Sequence, residues 1–279
     1  MPRAKNHSVE IEYESFGDDQ SEAVLLVNGL GSQMTRWPEA FCRLLVAKGY
    51  RTIRFDNRDT GLSTWPDTPY TLRDMAADAI AVLDAAGVQK AHIAGVSMGG
   101  MIVQRMALDY RDRVLSMTSI MSTTGAADAF KSTPQAAAVL NSPPPNPKVD
   151  FEAFVANGVR NARIIGSPAF PWTDAELRAR VVAEYERAFN PPGVARQRAA
   201  VTADGDRTEE LRTLRMPVVV LHGADDPLLM KVGAEATAAA IAQAELRIIP
   251  GMGHDLTPGL HEIFVDAIDT AASRAKTTA

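Results

Sequence analysis

A single cysteine, Cys42, occurs in 279 residues, so no intrachain disulfide can form and a cysteine-based metal cluster is excluded. That scarcity fits a reducing compartment. Positive charge is also short. Lys and Arg number 29 against 34 Asp and Glu, for a formal net charge of −5. The basic excess or stripe of a nucleic-acid binder is missing. Long apolar runs are missing too: the longest, at 23–27 and 217–221, are strand-sized, far short of a membrane span. No apolar stretch of signal-peptide length follows Met1-Pro2-Arg3-Ala4-Lys5. These absences predict a soluble cytoplasmic protein, monomer or homodimer. They leave a small molecule as its partner, with no nucleic acid and no membrane.

What is present is the balance of an ordinary globular protein, 46% hydrophobic and 23% charged. At this length roughly three quarters of the unfolded surface can be buried, so a sizeable core needs neither metal nor disulfide. Short apolar, β-branched runs at 23–27, 52–55, 91–96, 114–121, 217–221 and 246–249 end at turn residues and have strand length. Their near-continuous apolarity predicts a mostly parallel sheet covered on both faces. The spacing between them predicts helices over 38–48, 72–86, 98–109, 233–242 and 260–272. This alternation reads as a doubly wound α/β fold whose strand C-termini gather at one ligand-binding edge. From 123 to 215 the pattern breaks into helical patches at 135–140, 151–162, 174–189 and 194–203. Pro143-Pro144-Pro145-Asn146-Pro147 and Asn190-Pro191-Pro192-Gly193 punctuate them. That stretch is expected to be a helical cap inserted into a core made of 1–122 and 216–279.

Gly95-Val96-Ser97-Met98-Gly99-Gly100 sits between a predicted strand and a predicted helix, the context of a nucleophile elbow. A sharp turn projects the serine hydroxyl above the sheet, and glycines two before and two after allow the backbone to approach closely. Serine needs a base. Of the five histidines, His7 lies in a polar N-terminal segment, His92 inside a strand and His261 at the start of the last helix. His222 ends a strand in a position that packs or caps a turn. His254, in Pro250-Gly251-Met252-Gly253-His254, follows the last strand on a glycine-rich loop at the right edge. The orienting acid is expected from His222-Gly223-Ala224-Asp225-Asp226-Pro227, with Asp226 preferred to Asp225. The order Ser97, acid, His254 is that of one hydrolase architecture. An oxyanion hole requires two backbone N–H groups. Met98 is expected to supply one, and Leu30, or alternatively Gly31, the other.

On these residues the chain resembles the α/β-hydrolase superfamily over nearly its whole length. Arg54–Ser63, taken with Gly95-Val96-Ser97-Met98-Gly99 and Pro250-Gly251-Met252-Gly253-His254, is similar to aclacinomycin methylesterase-like enzymes, a group acting on bulky polyketide-type esters. The resemblance implies an α/β-hydrolase fold with a helical cap, Ser97 as nucleophile, Asp226 as acid and His254 as base. The chain departs from many members in having Asn28-Gly29 where they have His-Gly, and Arg58-Asp59 where they have Arg-Gly. Asp56 and Arg58 are read as fixing a tight loop.

The expected reaction is hydrolysis of a carboxylic ester through an acyl-enzyme, with no metal or organic cofactor. The expected substrate is a bulky hydrophobic ester or macrocyclic lactone such as a polyketide or macrolide. Met34, Trp37, Phe130, Phe154, Phe170, Trp172, Leu228 and Leu229 are candidates to line its pocket. Epoxide hydrolases and haloalkane dehalogenases carry aspartate at the elbow, and Ser97 speaks against both. Carbon–carbon bond hydrolases and cofactor-free perhydrolases keep the serine and remain alternatives, as does a non-catalytic ligand-binding member of the fold.

Overall fold

In the computed structural model, which describes residues 2–276, the strands are β1 (Arg3–Asn6), β2 (Val9–Phe16), β3 (Ala23–Val27), β4 (Arg51–Phe55), β5 (Ala91–Val96), β6 (Val114–Ile120), β7 (Val218–Gly223) and β8 (Glu245–Ile249). The helices of the layers are α1 (Glu39–Ala47), α2 (Leu72–Ala85) and α3 (Met98–Asp109). Between β6 and β7 come α4 (Pro134–Asn141), α5 (Phe151–Ile165), α6 (Asp174–Arg187), α7 (Pro191–Asp204) and the single turn α8 (Thr208–Leu211). Then follow α9 (Val232–Ala240) and α10 (His261–Lys276).

Among the described residues, the strands form one sheet in the order β1-β2-β4-β3-β5-β6-β7-β8. From β4 to β8 every pairing is parallel, whereas β1 and β2 are antiparallel additions. Those two strands escaped the sequence reading because β2 alternates Glu10, Glu12 and Glu14 with Val9, Ile11 and Tyr13, and so lacks the continuous apolarity of a central parallel strand. Alternate residues of β3 serve opposite faces. Ala23, Leu25 and Val27 pack into a core with side chains of α2, α3 and α9. Val24 and Leu26 join Phe41 and Leu45 of α1 and Phe264 and Ile268 of α10.

The helical excursion between β6 and β7 starts and stops where the sequence supplies caps. The Thr173 and Glu176 side chains form a capping box on α6, and Asn190 caps α7 with Pro191 in its first turn. Two buried carboxylates of the loop after β4 hold these helices. Asp56 binds Arg187 at 2.7 Å, and Asp59 binds Arg196 at 2.7 Å. Arg58, between them, grips Asp78 of α2 at 2.6 Å. The end of the excursion is bonded to the core: Arg105 of α3 binds Asp204 at 2.7 Å, and Arg207 donates to Gln104 at 2.9 Å. No helix among the described residues is long and apolar enough to cross a membrane.

Candidate active site

β5 ends at Val96 and α3 begins at Met98, which leaves Ser97 in the turn between them at φ 56°, ψ −121°. That is a strained conformation for a residue with a Cβ. The neighbouring glycines make it possible. A Cβ on Gly95 would stand 2.1 Å from the Gly99 carbonyl oxygen, and one on Gly99 would stand 2.3 Å from that of Val27. The turn is held by the Ser97 N–H donating to Ile120 O at 2.9 Å and by Ser122 Oγ donating to Ser97 O at 2.8 Å.

Asp226 and His254 meet at the same edge. His254 Nδ1 and Asp226 Oδ2 are 2.7 Å apart, and both side chains are buried. The other carboxylate oxygen, Oδ1, accepts the N–H groups of Leu228 and Leu229 at 2.8 and 2.9 Å. His222, fully buried at the end of β7, brings Nε2 to 3.3 Å from Oδ2. Burial works to raise the Asp226 pKa. The charge of His254 and the hydrogen bonds of His222 and His254 outweigh it and hold the carboxyl well below the usual carboxylate range. Asp225 is exposed, and its Oδ2 accepts the Gly251 N–H at 2.7 Å, so it shapes the histidine loop and does not reach the ring.

The helical excursion grips that histidine loop from above. His254 N–H donates to Ile165 O at 2.6 Å, and Gly253 N–H donates to Ser167 Oγ at 2.9 Å. With Nδ1 committed to Asp226, Nε2 is the ring nitrogen left for chemistry. Ser97 Oγ is not hydrogen-bonded to it in this structure. Contacts of this kind tighten in the substrate complex.

The loop after β3 lies against the elbow. A Cβ on Gly29 would sit 3.2 Å from Ser97 Cβ and 3.8 Å from Ser97 Oγ. Neither the Leu30 nor the Met98 N–H is hydrogen-bonded to another group of the described chain, whereas the Gly31 N–H donates to Gln197 Oε1 at 2.7 Å. Of the two donors weighed from sequence, Gly31 is therefore already committed and Leu30 is not.

A cavity of about 660 Å³ opens over this edge and reaches Leu30, His254 and Asp255. Of the eight pocket candidates, Phe154 lines it. The other seven pocket candidates do not. Trp37 is fully buried in the core beneath α1, with its ring centroid 4.9 Å from that of Phe41, and Met34 is equally inaccessible. Leu228 and Leu229 are buried in the acid's turn, where their N–H groups serve Asp226. Phe170 packs on the core beside Gly259, Phe130 is exposed, and Trp172 lies under the Arg180 guanidinium outside the lining. Apolar residues close in sequence to the motifs went to the core because the sheet edge needs its own packing before it can carry a cavity.

The wall sequence reasoning missed is aromatic and helical. Tyr185 of α6 and Phe189, two residues past its end, stand with Phe154, at ring-centroid separations of 5.3–5.4 Å. Arg180 also faces this space. Burial and the nearby Arg36 pull its guanidinium pKa down to about 10. Its Nε has no hydrogen-bond partner. Among the described residues no group of three or more His, Cys, Asp or Glu side chains is arranged to hold a metal ion.

The profile of the alpha/beta hydrolase fold family matches residues 22–257. The chain is similar to the rhodomycin D methylesterase of Streptomyces peucetius, 31% identical over 98% of this chain and 97% of that protein. It is likewise similar to the rhodomycin D methylesterase of Streptomyces sp. (strain C5), 31% identical over 95% of each. In three dimensions it resembles a meta-cleavage product hydrolase from Pseudomonas fluorescens IP01, with a TM-score of 0.79 at 22% identity, covering 97% of this chain and 98% of that one.

Proposed function

The chain belongs to the α/β-hydrolase fold family, and from that premise we propose that it is a serine hydrolase that cleaves carboxylic esters through an acyl-enzyme. Ser97 Oγ attacks the ester carbonyl carbon while His254 Nε2 takes its proton. Asp226 holds the Nδ1–H tautomer and balances the imidazolium that forms. The oxyanion of the tetrahedral intermediate accepts the N–H groups of Met98 and Leu30, each contributing on the order of 3 kcal/mol. The intermediate collapses, His254 returns the proton to the leaving alkoxide oxygen, and the alcohol departs. Water, deprotonated by the same ring, then attacks the acyl-Ser97 ester, and the acid is released as Ser97 recovers its proton. The observation that carries this reading is the 2.7 Å Asp226–His254 contact at the same sheet edge as a strained serine turn.

The substrate in this reading is a bulky hydrophobic ester or macrocyclic lactone, received in a cap made by residues 123–215. Support comes from the cavity of about 660 Å³ and its Phe154, Tyr185 and Phe189 wall, which offer stacking area to a fused or extended apolar acyl group. The two methylesterase relatives point the same way.

The test is turnover of p-nitrophenyl acetate and butyrate and of an anthracycline methyl ester, with Ser97→Ala as control. Release of p-nitrophenol, and of methanol from the methyl ester, is expected from the wild type. Ser97→Ala should release almost none, with a thermal midpoint within a few degrees of wild type. Wild-type rates from Ser97→Ala would overturn the mechanism, and tight ligand binding without any turnover would make this a binding protein.

A further inference from the structure

Gln197 lies in α7, a helix of the excursion, yet its fully buried side chain ends against two loops of the core. Its Oε1 accepts the Gly31 N–H at 2.7 Å, and its Nε2 donates to the Arg58 carbonyl at 2.9 Å. One turn earlier on the same helix, Val194 faces Gly31 so closely that a Cβ there would be 3.0 Å from a Val194 methyl. Gly31 itself is left-handed, at φ 65°.

These contacts determine where the Leu30 amide points. A peptide unit is a rigid plane, so the direction of an N–H is set by whatever holds that plane and the one after it. The plane carrying the Leu30 N–H also carries the Gly29 carbonyl, which accepts the Ser32 N–H at 3.2 Å. That local bond is long. The next plane carries the Gly31 N–H, and Gln197 holds it. Leu30 is thus fixed from one side by its own turn and from the other by Gln197, which lies 166 positions beyond Gly31 in the chain.

We propose that Gln197 is a positioning residue that reaches from the helical excursion to the loop after β3 and aims the Leu30 N–H at the developing oxyanion. The proposal rests on the ester-hydrolase reading. It makes the excursion part of the catalytic geometry as well as the cover of the cavity.

The experiment compares Gln197→Asn with Gln197→Glu, using p-nitrophenyl butyrate turnover and the affinity of a phenylboronic acid, whose adduct with the serine mimics the tetrahedral oxyanion. Asparagine keeps the buried site polar but withdraws the acceptor by about 1.5 Å, one carbon–carbon bond. Glutamate keeps the length and the acceptor, and as the buried neutral acid its O–H donates to the Arg58 carbonyl where Nε2 does now. Gln197→Asn is expected to lose about 10- to 100-fold in kcat and a similar factor in boronate affinity, with KM within threefold. Gln197→Glu is expected to stay within about threefold of wild type in all three quantities. A merely structural glutamine would give the opposite ranking, since burying a titratable carboxyl at this fully enclosed position costs more than shortening an amide.

The proposal is overturned if Gln197→Asn keeps wild-type kcat and boronate affinity. It is also overturned if only KM changes, or if Gln197→Glu is the worse of the two. Should Gln197→Glu fail to fold, the parallel loss of kcat and boronate affinity in Gln197→Asn decides alone. Failure of the ester-hydrolase reading shows differently, as a wild type with no Ser97-dependent turnover, and the proposal then falls with it.

Discussion

Replacing Asp226 by asparagine changes one atom, and the structure specifies which way the new amide must turn. At present Oδ1 accepts two main-chain N–H groups, from Leu228 and Leu229, and Oδ2 accepts from His254 Nδ1. An asparagine has one oxygen to serve both sides. With its oxygen toward Leu228 and Leu229, the NH₂ faces His254. The ring must then accept at Nδ1 and carry its proton on Nε2, where it cannot act as a base. Turned the other way, the NH₂ confronts two buried N–H donors and strands both, at about 1–3 kcal/mol each. In the first arrangement His222 Nε2, 3.3 Å from the replaced oxygen, keeps the Leu229 carbonyl as its acceptor at 2.5 Å, so that arrangement is favoured, by roughly 2–6 kcal/mol.

The imidazole is locked in the unproductive tautomer, and kcat is expected to fall about 10⁴-fold, or roughly 5 kcal/mol of lost transition-state stabilisation. Asp225→Asn leaves the Asp226–His254 contact intact. It weakens one exposed contact, to the Gly251 N–H, so a loss of less than about tenfold is expected. The assay is initial-rate hydrolysis of p-nitrophenyl butyrate by both variants, with thermal midpoints to show that each is folded. A folded Asp226→Asn enzyme within tenfold of wild type, or one that outperforms Asp225→Asn, would refute this reasoning.

Gly99→Ala forces a Cβ to within 2.3 Å of the Val27 carbonyl oxygen. Backbone cannot yield there, so stability is expected to drop by about 2 kcal/mol or more, read as a fall in melting temperature. Gly29→Ala is looser, 3.2 Å from Ser97 Cβ. It is expected to keep its melting temperature but lose about tenfold in kcat as the loop after β3 shifts. The lowered pKa of Asp226 means that it contributes stability above the unfolded carboxylate value of about 3.9, which is lost only as pH falls through its lower folded value. The acid limb of kcat/KM is accordingly expected to follow one proton, with a limiting slope of 1 and no second inflection above about pH 4. Cys42 is fully buried, and burial pushes its thiol up to about 12. Iodoacetamide should label the protein only after denaturant is added, as followed by intact mass.

The parallel layers were legible because β3, β5 and β7 are apolar almost throughout and end at turn residues. The Ser97 elbow was legible because glycine is required at fixed offsets by backbone contacts near 2 Å. The assignment of Asp226 over Asp225 rested on its place before a proline, and the structure puts Asp226, not Asp225, against His254. Less was readable where identity underdetermines environment. Met34, Trp37, Leu228 and Leu229 sit beside the motifs in sequence, but nothing in an apolar side chain says whether it will face a cavity or a core. Tyr185 and Phe189 lie where the helical pattern of α6 gives way to Asn190-Pro191-Pro192, and their convergence on Phe154 depends on how two helices of the excursion pack. Gln197 was invisible for a related reason. A glutamine in a helix with little amphipathic pattern resembles a solvated residue until the loop it touches is known.

The central claim is that Ser97 is the nucleophile of a histidine-assisted acyl transfer. Its most direct test is mass mapping of the protein after reaction with diethyl p-nitrophenyl phosphate, which transfers a phosphoryl group to an activated serine. One adduct per chain on Ser97 is predicted, lost in Ser97→Ala and formed far more slowly in Asp226→Asn, with esterase activity disappearing in step. An adduct on another residue, or full esterase activity in a protein whose Ser97 has been quantitatively modified, would contradict the account.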